Sequence, residues 1–159
     1  GKIFALGESR SGGHLLYVSS DGGRRYTTVP GVTGEGLTAI RAAGNVVFAH
    51  SYDGVSFRID ALAQTPALEA MSSVIDVTTV TSVAGGILAA TEAHDRVLSS
   101  RDGGRTWTAF LSSPVSGQPM LFTGIGVTQS HLVIIGMDDF GSSQHPAMLR
   151  RPLAGITLP

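Results

Sequence analysis

The sequence has no cysteine and little charge. Its 159 residues include one Lys and 14% charged residues, against roughly 25% in an average soluble domain. Without thiols, disulfide bonds, thiolate zinc sites and cysteine nucleophiles are excluded. Twelve acidic and eleven basic residues give a formal net charge of -1, so no strong field attracts nucleic acid, and nucleic acid is not expected as a partner.

Long hydrophobic runs are also missing. The apolar stretches 86–90 and 131–137 are far shorter than the roughly 20 residues that cross a bilayer, so no membrane insertion is expected. No charged-then-apolar signal segment opens the chain. A chain of this length is expected to form one core, so residues 1–159 are interpreted as a single domain or a segment of one.

Short apolar runs separated by Gly, Ser and Thr predict an all-β fold. The chain contains 21 Gly, and sustained helical periodicity is almost absent. Residues 61–71 collect helix-forming side chains, but Pro66 interrupts them, so a loop with a helical turn is expected there.

An internal repeat is the most informative feature. Four segments align without gaps, and their last residues are 43, 41 and 46 positions apart: 4–8, 47–51, 88–92 and 134–138. A period of about 40 to 50 residues made of short strands is typical of propeller blades. The expected blades are 1–33, 34–72, 73–115 and 116–159.

Each blade is expected to be a four-stranded antiparallel sheet. A leading strand precedes three of the repeated segments, and a third strand follows each of them, with a weaker fourth strand near 26–29, 107–110 and 155–158. The first blade is incomplete because no leading strand precedes its repeated segment. The prediction is therefore a β-propeller of about four blades, possibly part of a larger propeller, and the alternative is a β-sandwich of a dozen short strands. The C-terminal segment, further blades or another chain could supply the missing strand.

Two eight-residue segments carry a family resemblance. Ser19–Tyr26 reads SSDGGRRY and Ser100–Trp107 reads SRDGGRTW. Both resemble the Asp-box, or BNR repeat, S-x-D-x-G-x-x-W, and each falls between the third and fourth strands of its blade. The matching residues are Ser19, Asp21, Gly23, Tyr26, Ser100, Asp102, Gly104 and Trp107.

Asp-box propellers include sialidases, photosystem assembly factors, sortilin-type receptors and phage surface proteins, so the resemblance implies a fold and not a reaction. In these families the box lies far from the axial site. The box residues are therefore expected to be structural: the Asp accepts bonds from turn amides, the Gly adopts positive φ, and the aromatic ring packs against its blade.

A sialidase-like site is not expected. Such a site needs three converging Arg, a Tyr activated by Glu and a separate acid, whereas Tyr17, Tyr26 and Tyr52 all lie in strands or turns. The near match Phe57–Asp60 lacks the Pro of the sialidase Arg-Ile-Pro signature. No catalytic residue is therefore assigned, and the chain is predicted not to be an enzyme.

Acidic residues recur at one position of the repeat. Glu8, Glu92 and Asp138 align, with Ser51 in the fourth copy, so equivalent blades would place them on one rim. Such a rim could bind a cation such as calcium or a basic partner. The alternative is a solvated edge where strands end. The five His residues show no metal-ligand spacing, and neither a metal nor any other cofactor is assigned.

Two further segments remain open to interpretation. Ser51–Phe57 looks like a shortened third box, but Asp53-Gly54 also fits a type I′ hairpin turn, which is the preferred reading. Phe140 lies in a predicted loop over 139–145, where it is either a contact residue or packed on its own loop.

The predicted function is a noncatalytic structural or docking module in a larger assembly, for example a phage tail or a surface complex. Its partners are expected to be proteins or copies of itself, in an extracellular or virion-surface location. The alternative is a glycan-binding module or a fragment of a sialidase-type glycoside hydrolase.

Overall fold

A computed structural model describes residues 1–9, 12–31, 36–71, 77–91, 96–112, 120–140, 143–156 and 158–159. Within these ranges the chain forms strands and one short 3-10 turn, which confirms the all-β prediction. No helix in these ranges has the length and apolarity needed to span a bilayer. The chain divides into two compact units, residues 1–75 and 76–159.

Unit 1 contains two antiparallel sheets. Sheet 1 has the order β1-β2-β3 and sheet 2 the order β4-β5-β6-β7, so each sheet is a meander in which neighbours in sequence pair. The strands are β1 (Ile3–Glu8), β2 (His14–Ser19), β3 (Thr27–Thr28), β4 (Leu37–Ala43), β5 (Val46–Ser51), β6 (Ser56–Asp60) and β7 (Glu69–Ala70).

Unit 2 repeats this organisation. Sheet 3 has the order β8-β9-β10-β11, and sheet 4 the order β12-β13-β14. The strands are β8 (Val77–Val83), β9 (Gly86–Thr91), β10 (Arg96–Ser100), β11 (Thr108–Ser112), β12 (Met120–Val127), β13 (His131–Phe140) and β14 (Ser143–Pro152), followed by the 3-10 turn Leu153–Gly155. Each of the four sheets falls within one of the blade segments expected from the repeat.

Each unit has its own hydrophobic core, because side chains alternate between the two faces of a strand. In unit 1, Leu16 of β2 packs with Leu37, Ala49 and Ile59 of sheet 2. In unit 2, Leu88 and Val97 of sheet 3 pack with sheet 4 residues, including Phe122, Leu132 and Ile134. Both cores therefore lie between the facing sheets of one unit.

Two expectations at the level of strands are wrong. Residues 155–158 do not form a fourth strand of sheet 4: Gly155 ends the 3-10 turn, and Leu158 is buried in the core of unit 2. Instead of a loop with a helical turn, residues 61–71 contain the two-residue strand β7. This strand forms because Glu69 and Ala70 pair with Arg58 and Phe57 of β6, a tertiary contact that helix propensity cannot anticipate.

Candidate functional site

The segment Ser19–Tyr26, called turn 1, is organised by one serine and one carboxylate. The hydroxyl of Ser19 donates to Asp21 Oδ1 over 2.9 Å and accepts the amide N–H of Gly23 over 2.9 Å. Asp21 Oδ1 also accepts the amides of Arg24 and Arg25, each over 3.0 Å. Gly23 lies at φ +89°, a conformation that glycine adopts without strain.

The segment Ser100–Trp107, called turn 2, has the same hydrogen bonds and several more. Ser100 Oγ donates to Asp102 Oδ1 over 2.8 Å, and Asp102 Oδ1 accepts the amides of Arg105 and Thr106, each over 2.9 Å. The hydroxyl of Thr106 donates to Asp102 Oδ2 over 2.6 Å. Trp107 Nε1 donates to the carbonyl of Gly104 over 3.1 Å, which fixes the ring against the turn.

The two turns spend their carboxylates on their own backbones. Hydrogen bonds lower the pKa of Asp21, chiefly the one from the Arg25 amide. The Thr106 hydroxyl and amide hold the pKa of Asp102 far below its usual value, because both donate to the charged form. With their oxygens engaged in this way, both groups act as turn clasps and not as acids, bases or ligands.

The lowered pKa of Asp102 predicts a loss of stability in acid. Its folded pKa lies below the model value of 3.8, so this carboxylate stabilises the fold fully above about pH 4, and the contribution is lost as pH falls through the folded pKa. The midpoint of urea unfolding should therefore decrease as pH falls below about 4. Emission from Trp107, the single tryptophan, reports on the turn itself.

The matched variant for this titration is Asp102→Asn, whose side chain does not ionise. Its stability should be lower than that of the wild type at pH 7 and should depend less on pH below 4. An equal acid-induced loss in both proteins would show that Asp102 does not carry the effect.

The segment Ser51–Phe57 differs from turns 1 and 2. It connects β5 directly to β6, with Ser51 N–H donating to Val55 O over 2.9 Å and Gly54 N–H to Ser51 O over 3.1 Å. Three residues lie between Ser51 and Val55, and Gly54 has φ +82°. This pattern is typical of a type I turn with a bulge. The hairpin was expected, but its two-residue type I′ form was wrong because the loop holds one residue more.

The acidic residues of the expected rim are only partly described. Glu8 is exposed at the end of β1, opposite His14, whereas Glu92 lies outside the described residues. The side chains of Asp138 and Phe140 are likewise outside the described part of the chain. Within that part, no three His, Asp or Glu side chains come together as a metal site.

Phe140 does not lie in a loop, contrary to the expectation. Strand β13 runs through Phe140, which pairs with Ser143 of β14, and the register continues without interruption from His131. The Gly-Ser segment after Phe140 is the tight connection of a long hairpin, so composition alone overstated the loop.

The three tyrosines and Arg58 occupy structural or exposed positions. Tyr17 lies over Gly7, where an added Cβ would come within 2.9 Å of the ring. Tyr26 and Tyr52 are exposed. Arg58 is 4% exposed and forms an ion pair with Glu69 of the neighbouring strand. A buried, paired arginine of this kind joins β6 to β7, where one of the arginines closest to the sialidase signature was found.

Sheet 4 presents an apolar surface that the sequence analysis did not identify. Ile135 of β13 lies opposite Gly124 of β12 and Met148 of β14, and Ile135 and Met148 are 50% and 67% exposed. We call the face formed by Gly124, Gly126, Val133, Ile135 and Met148 the open face. The opposite face of the same strands carries Leu132, Ile134 and Leu149 and packs into the core of unit 2.

A signal for the open face is present in the sequence. Residues 132–135 are apolar at four successive positions, whereas a strand covered on one side alternates between apolar and polar residues. The run therefore indicates a strand meant to be covered on both faces, and unit 2 covers one of them.

Comparisons with known proteins identify the fold. A scan against protein-family models gave no match, and neither did a search of curated proteins. Among solved structures, YCF48 from Cyanidioschyzon merolae is similar with a TM-score of 0.57 and 14% identity, over 96% of this chain and 52% of that chain. A structure of YCF48 bound to D1 peptide has a TM-score of 0.50 and 10% identity, over 90% of this chain and 50% of that chain.

The fold is a β-propeller. The similarity to YCF48 covers nearly the whole chain, and the four antiparallel sheets match the predicted number of blades. At this level of identity the comparison concerns the fold alone. The chain spans about half the length of the YCF48 chains that it matches.

Proposed function

We propose that this chain is a noncatalytic propeller module that docks protein partners in a larger assembly, such as a phage tail or a surface complex. The observation that carries the proposal is the open face of sheet 4, with Ile135 and Met148 exposed side by side. Exposed apolar patches of this kind mark interaction sites in soluble proteins. The occupant of the face is a β-sheet of a protein partner, packed face to face on sheet 4.

Two observations support this choice of occupant. The other face of sheet 4 is covered by sheet 3 within unit 2, so the fold already packs sheets of this kind against each other. The chain also spans about half of the propeller chains that it resembles, and a propeller sheet that ends such a segment needs another sheet beside it. The YCF48 bound to D1 peptide is a propeller of similar fold that binds a peptide.

In this proposal turns 1 and 2 are Asp-boxes and hold the blades without contacting the partner. Asp21 and Asp102 bind the amides of their own turns. A carboxylate committed to local amides stabilises a turn and leaves little capacity for a ligand. The turns and the open face therefore have separate roles.

The absence of catalysis is part of the proposal and predicts no glycoside hydrolysis. The tyrosines of the described chain are exposed or packed on glycine, and Arg58 is paired with Glu69, so none of them forms the clustered site that sialoside cleavage requires. Fluorophore release from a fluorogenic sialoside should equal the buffer blank. Release that saturates with substrate concentration would contradict the proposal.

Photocrosslinking tests the docking surface. A photoreactive phenylalanine analogue replaces Met148, and the protein is irradiated in the cells or particles that produce it. A side chain on the open face should lie against a partner, so crosslinks should join position 148 to one protein or a few proteins of defined mass, identified by mass spectrometry.

The matched control places the same analogue at position 62. Leu62 is 71% exposed, similar to Met148 at 67%, but it lies in the turn after β6 and outside the open face. Crosslinks of equal yield and identity at both positions, or crosslinks to glycan at 148, would contradict the proposed role of the open face.

A further inference from the structure

Sheet 1 lacks a strand that its counterpart in unit 2 has. Turns 1 and 2 lie between β2 and β3 and between β10 and β11, so β1 corresponds to β9. Strand β9 pairs with β10 on one side and with β8 on the other, whereas β1 is the edge of its sheet in the described chain. An edge strand presents a row of backbone donors and acceptors that another strand can bind.

The register of sheet 3 shows how such a strand would lie. Strand β8 is antiparallel to β9, and its last residue, Val83, is opposite Gly86. In the repeat, Phe4 aligns with Leu88, which places Lys2 at the position of Gly86. A strand added to β1 in the same way would end opposite Lys2.

A cavity occupies the place where that strand would end. Its volume is about 310 Å³, and its walls include Lys2 and Phe4 of the sheet 1 side together with Ile40, Val47 and Ala61. In unit 2 the corresponding space is lined by Val83 itself, with Val127 and Leu153, and has a smaller volume of about 230 Å³. Val83 also packs against the core of unit 2.

One conserved hydrogen bond shows that the two cavities occupy equivalent places. The amide of Ala61 donates to the carbonyl of Asn45, and the amide of Leu153 donates to the carbonyl of Ser130, each over 2.9 Å. Asn45 and Ser130 both directly precede the second strand of their sheets. Ala61 and Leu153 are therefore counterparts, and the cavity of unit 1 is the site that the missing counterpart of Val83 would fill.

The charge at the cavity favours an anionic end on the incoming strand. Lys2 Nζ donates to the carbonyls of Ala61 and Ala63, and an ammonium has three donors, so it retains capacity for one more acceptor among the described residues. Arg41 is a second cation in the wall. The nearby carboxylate of Asp60 accepts the amide of Leu62 over 2.9 Å.

The C-terminal segment of this chain is already placed elsewhere. Leu158 is 3% exposed in the core of unit 2, and its carbonyl accepts a hydrogen bond from Arg101. We propose that β1 and the cavity beside it bind an extended segment of a protein partner as a fourth strand of sheet 1. The segment runs antiparallel to β1, places an apolar side chain in the cavity and presents a carboxylate to Lys2 and Arg41. This surface belongs to unit 1 and does not depend on the open face of sheet 4.

A synthetic peptide with the β8 sequence VTTVTSV is a suitable probe, labelled at its N-terminus and ending in a free carboxylate. Binding is measured by fluorescence anisotropy, and amide hydrogen exchange shows where the peptide lies. We expect saturable binding, with slower exchange in residues 3–8. The same peptide with a C-terminal amide should bind at least fivefold more weakly, and the peptide with glycine in place of its last valine at least tenfold more weakly.

The variant Lys2→Gln separates the charge from the pairing. It should reduce the preference for the carboxylate peptide over the amide peptide to less than twofold and leave the affinity for the amide peptide unchanged. Arg24→Gln, in turn 1 and exposed, is the matched control and should bind both peptides as the wild type does. Circular dichroism confirms that each variant is folded.

Several outcomes would overturn the proposal. These are no binding at millimolar peptide, equal binding of the glycine-ended peptide, and protection of sheet 4 in place of β1. A dimer of the chain without peptide, with residues 3–8 protected, would assign the site to a second copy and not to a partner. None of these results bears on crosslinking at position 148, so the two proposals fail separately.

Discussion

Gly86→Ala should destabilise the protein by about 3 kcal/mol, a large effect for one methyl group. A Cβ at this position would lie 2.2 Å from the carbonyl oxygen of Ser100 and 2.6 Å from Leu158 Cδ1. The oxygen belongs to the backbone of β10 and cannot move without disturbing the pairing of Ser100 with Ile87. Urea unfolding followed by Trp107 emission measures the loss.

Gly126→Ala is the control for this prediction. Gly126 also lies in a strand, β12, but no atom lies within 4 Å of its added Cβ. Its stability should remain within about 0.5 kcal/mol of the wild type. Equal losses in the two variants would show that lost backbone freedom, and not the contact with Ser100, causes the effect.

Asp102→Ala should lower the free energy of unfolding by about 2 kcal/mol, which corresponds to a melting temperature lower by about 6 °C. The substitution removes the acceptor of the Arg105 and Thr106 amides and of the Thr106 hydroxyl. The figure is below the sum of the bonds because the turn is exposed and water replaces part of what is lost. Differential scanning calorimetry measures the change.

Asp21→Ala should cause a smaller decrease, because turn 1 has Arg25 where turn 2 has Thr106 and so lacks the hydroxyl bond. Thr106→Val in turn 2 should reduce the difference between the two turns. A larger decrease for Asp21→Ala than for Asp102→Ala would contradict this ranking of the turns.

The sequence was most informative where structure is local. Turns 1 and 2 are specified by Ser, Asp and Gly within five residues of each other, so their position was readable without any knowledge of the fold. The repeat was equally readable because each central strand, such as β5 or β9, keeps its apolar run at the same phase of the period.

Features that depend on a distant partner were missed. The short strand β7 exists only because β6 lies beside it, and its two residues carry no strand signal of their own. The C-terminal Leu158 was expected in a strand, but it enters the core of unit 2 beside Gly86. Phe140 was placed in a loop because its Gly-Ser neighbours were given more weight than the pairing of β13 with β14.

The two candidate binding surfaces differ in how visible they are in the sequence. The open face could have been suspected from the apolar run 132–135. The cavity beside β1 required the pairing of sheet 3 as a template, since the missing leading strand was predicted but its consequence for Lys2, Arg41 and Ile40 depends on packing. Binding sites formed by an absent element have no residues of their own to read.

The central claim is that the turns stabilise the propeller whereas the open face binds the partner. Crosslinking at position 148 in the Asp102→Ala background tests it most directly, at a temperature below the melting transition of that variant. The account predicts the same crosslinked partner, in the same yield, as without the substitution. Loss of the crosslink while circular dichroism shows a folded protein would contradict it, because the turn would then take part in binding.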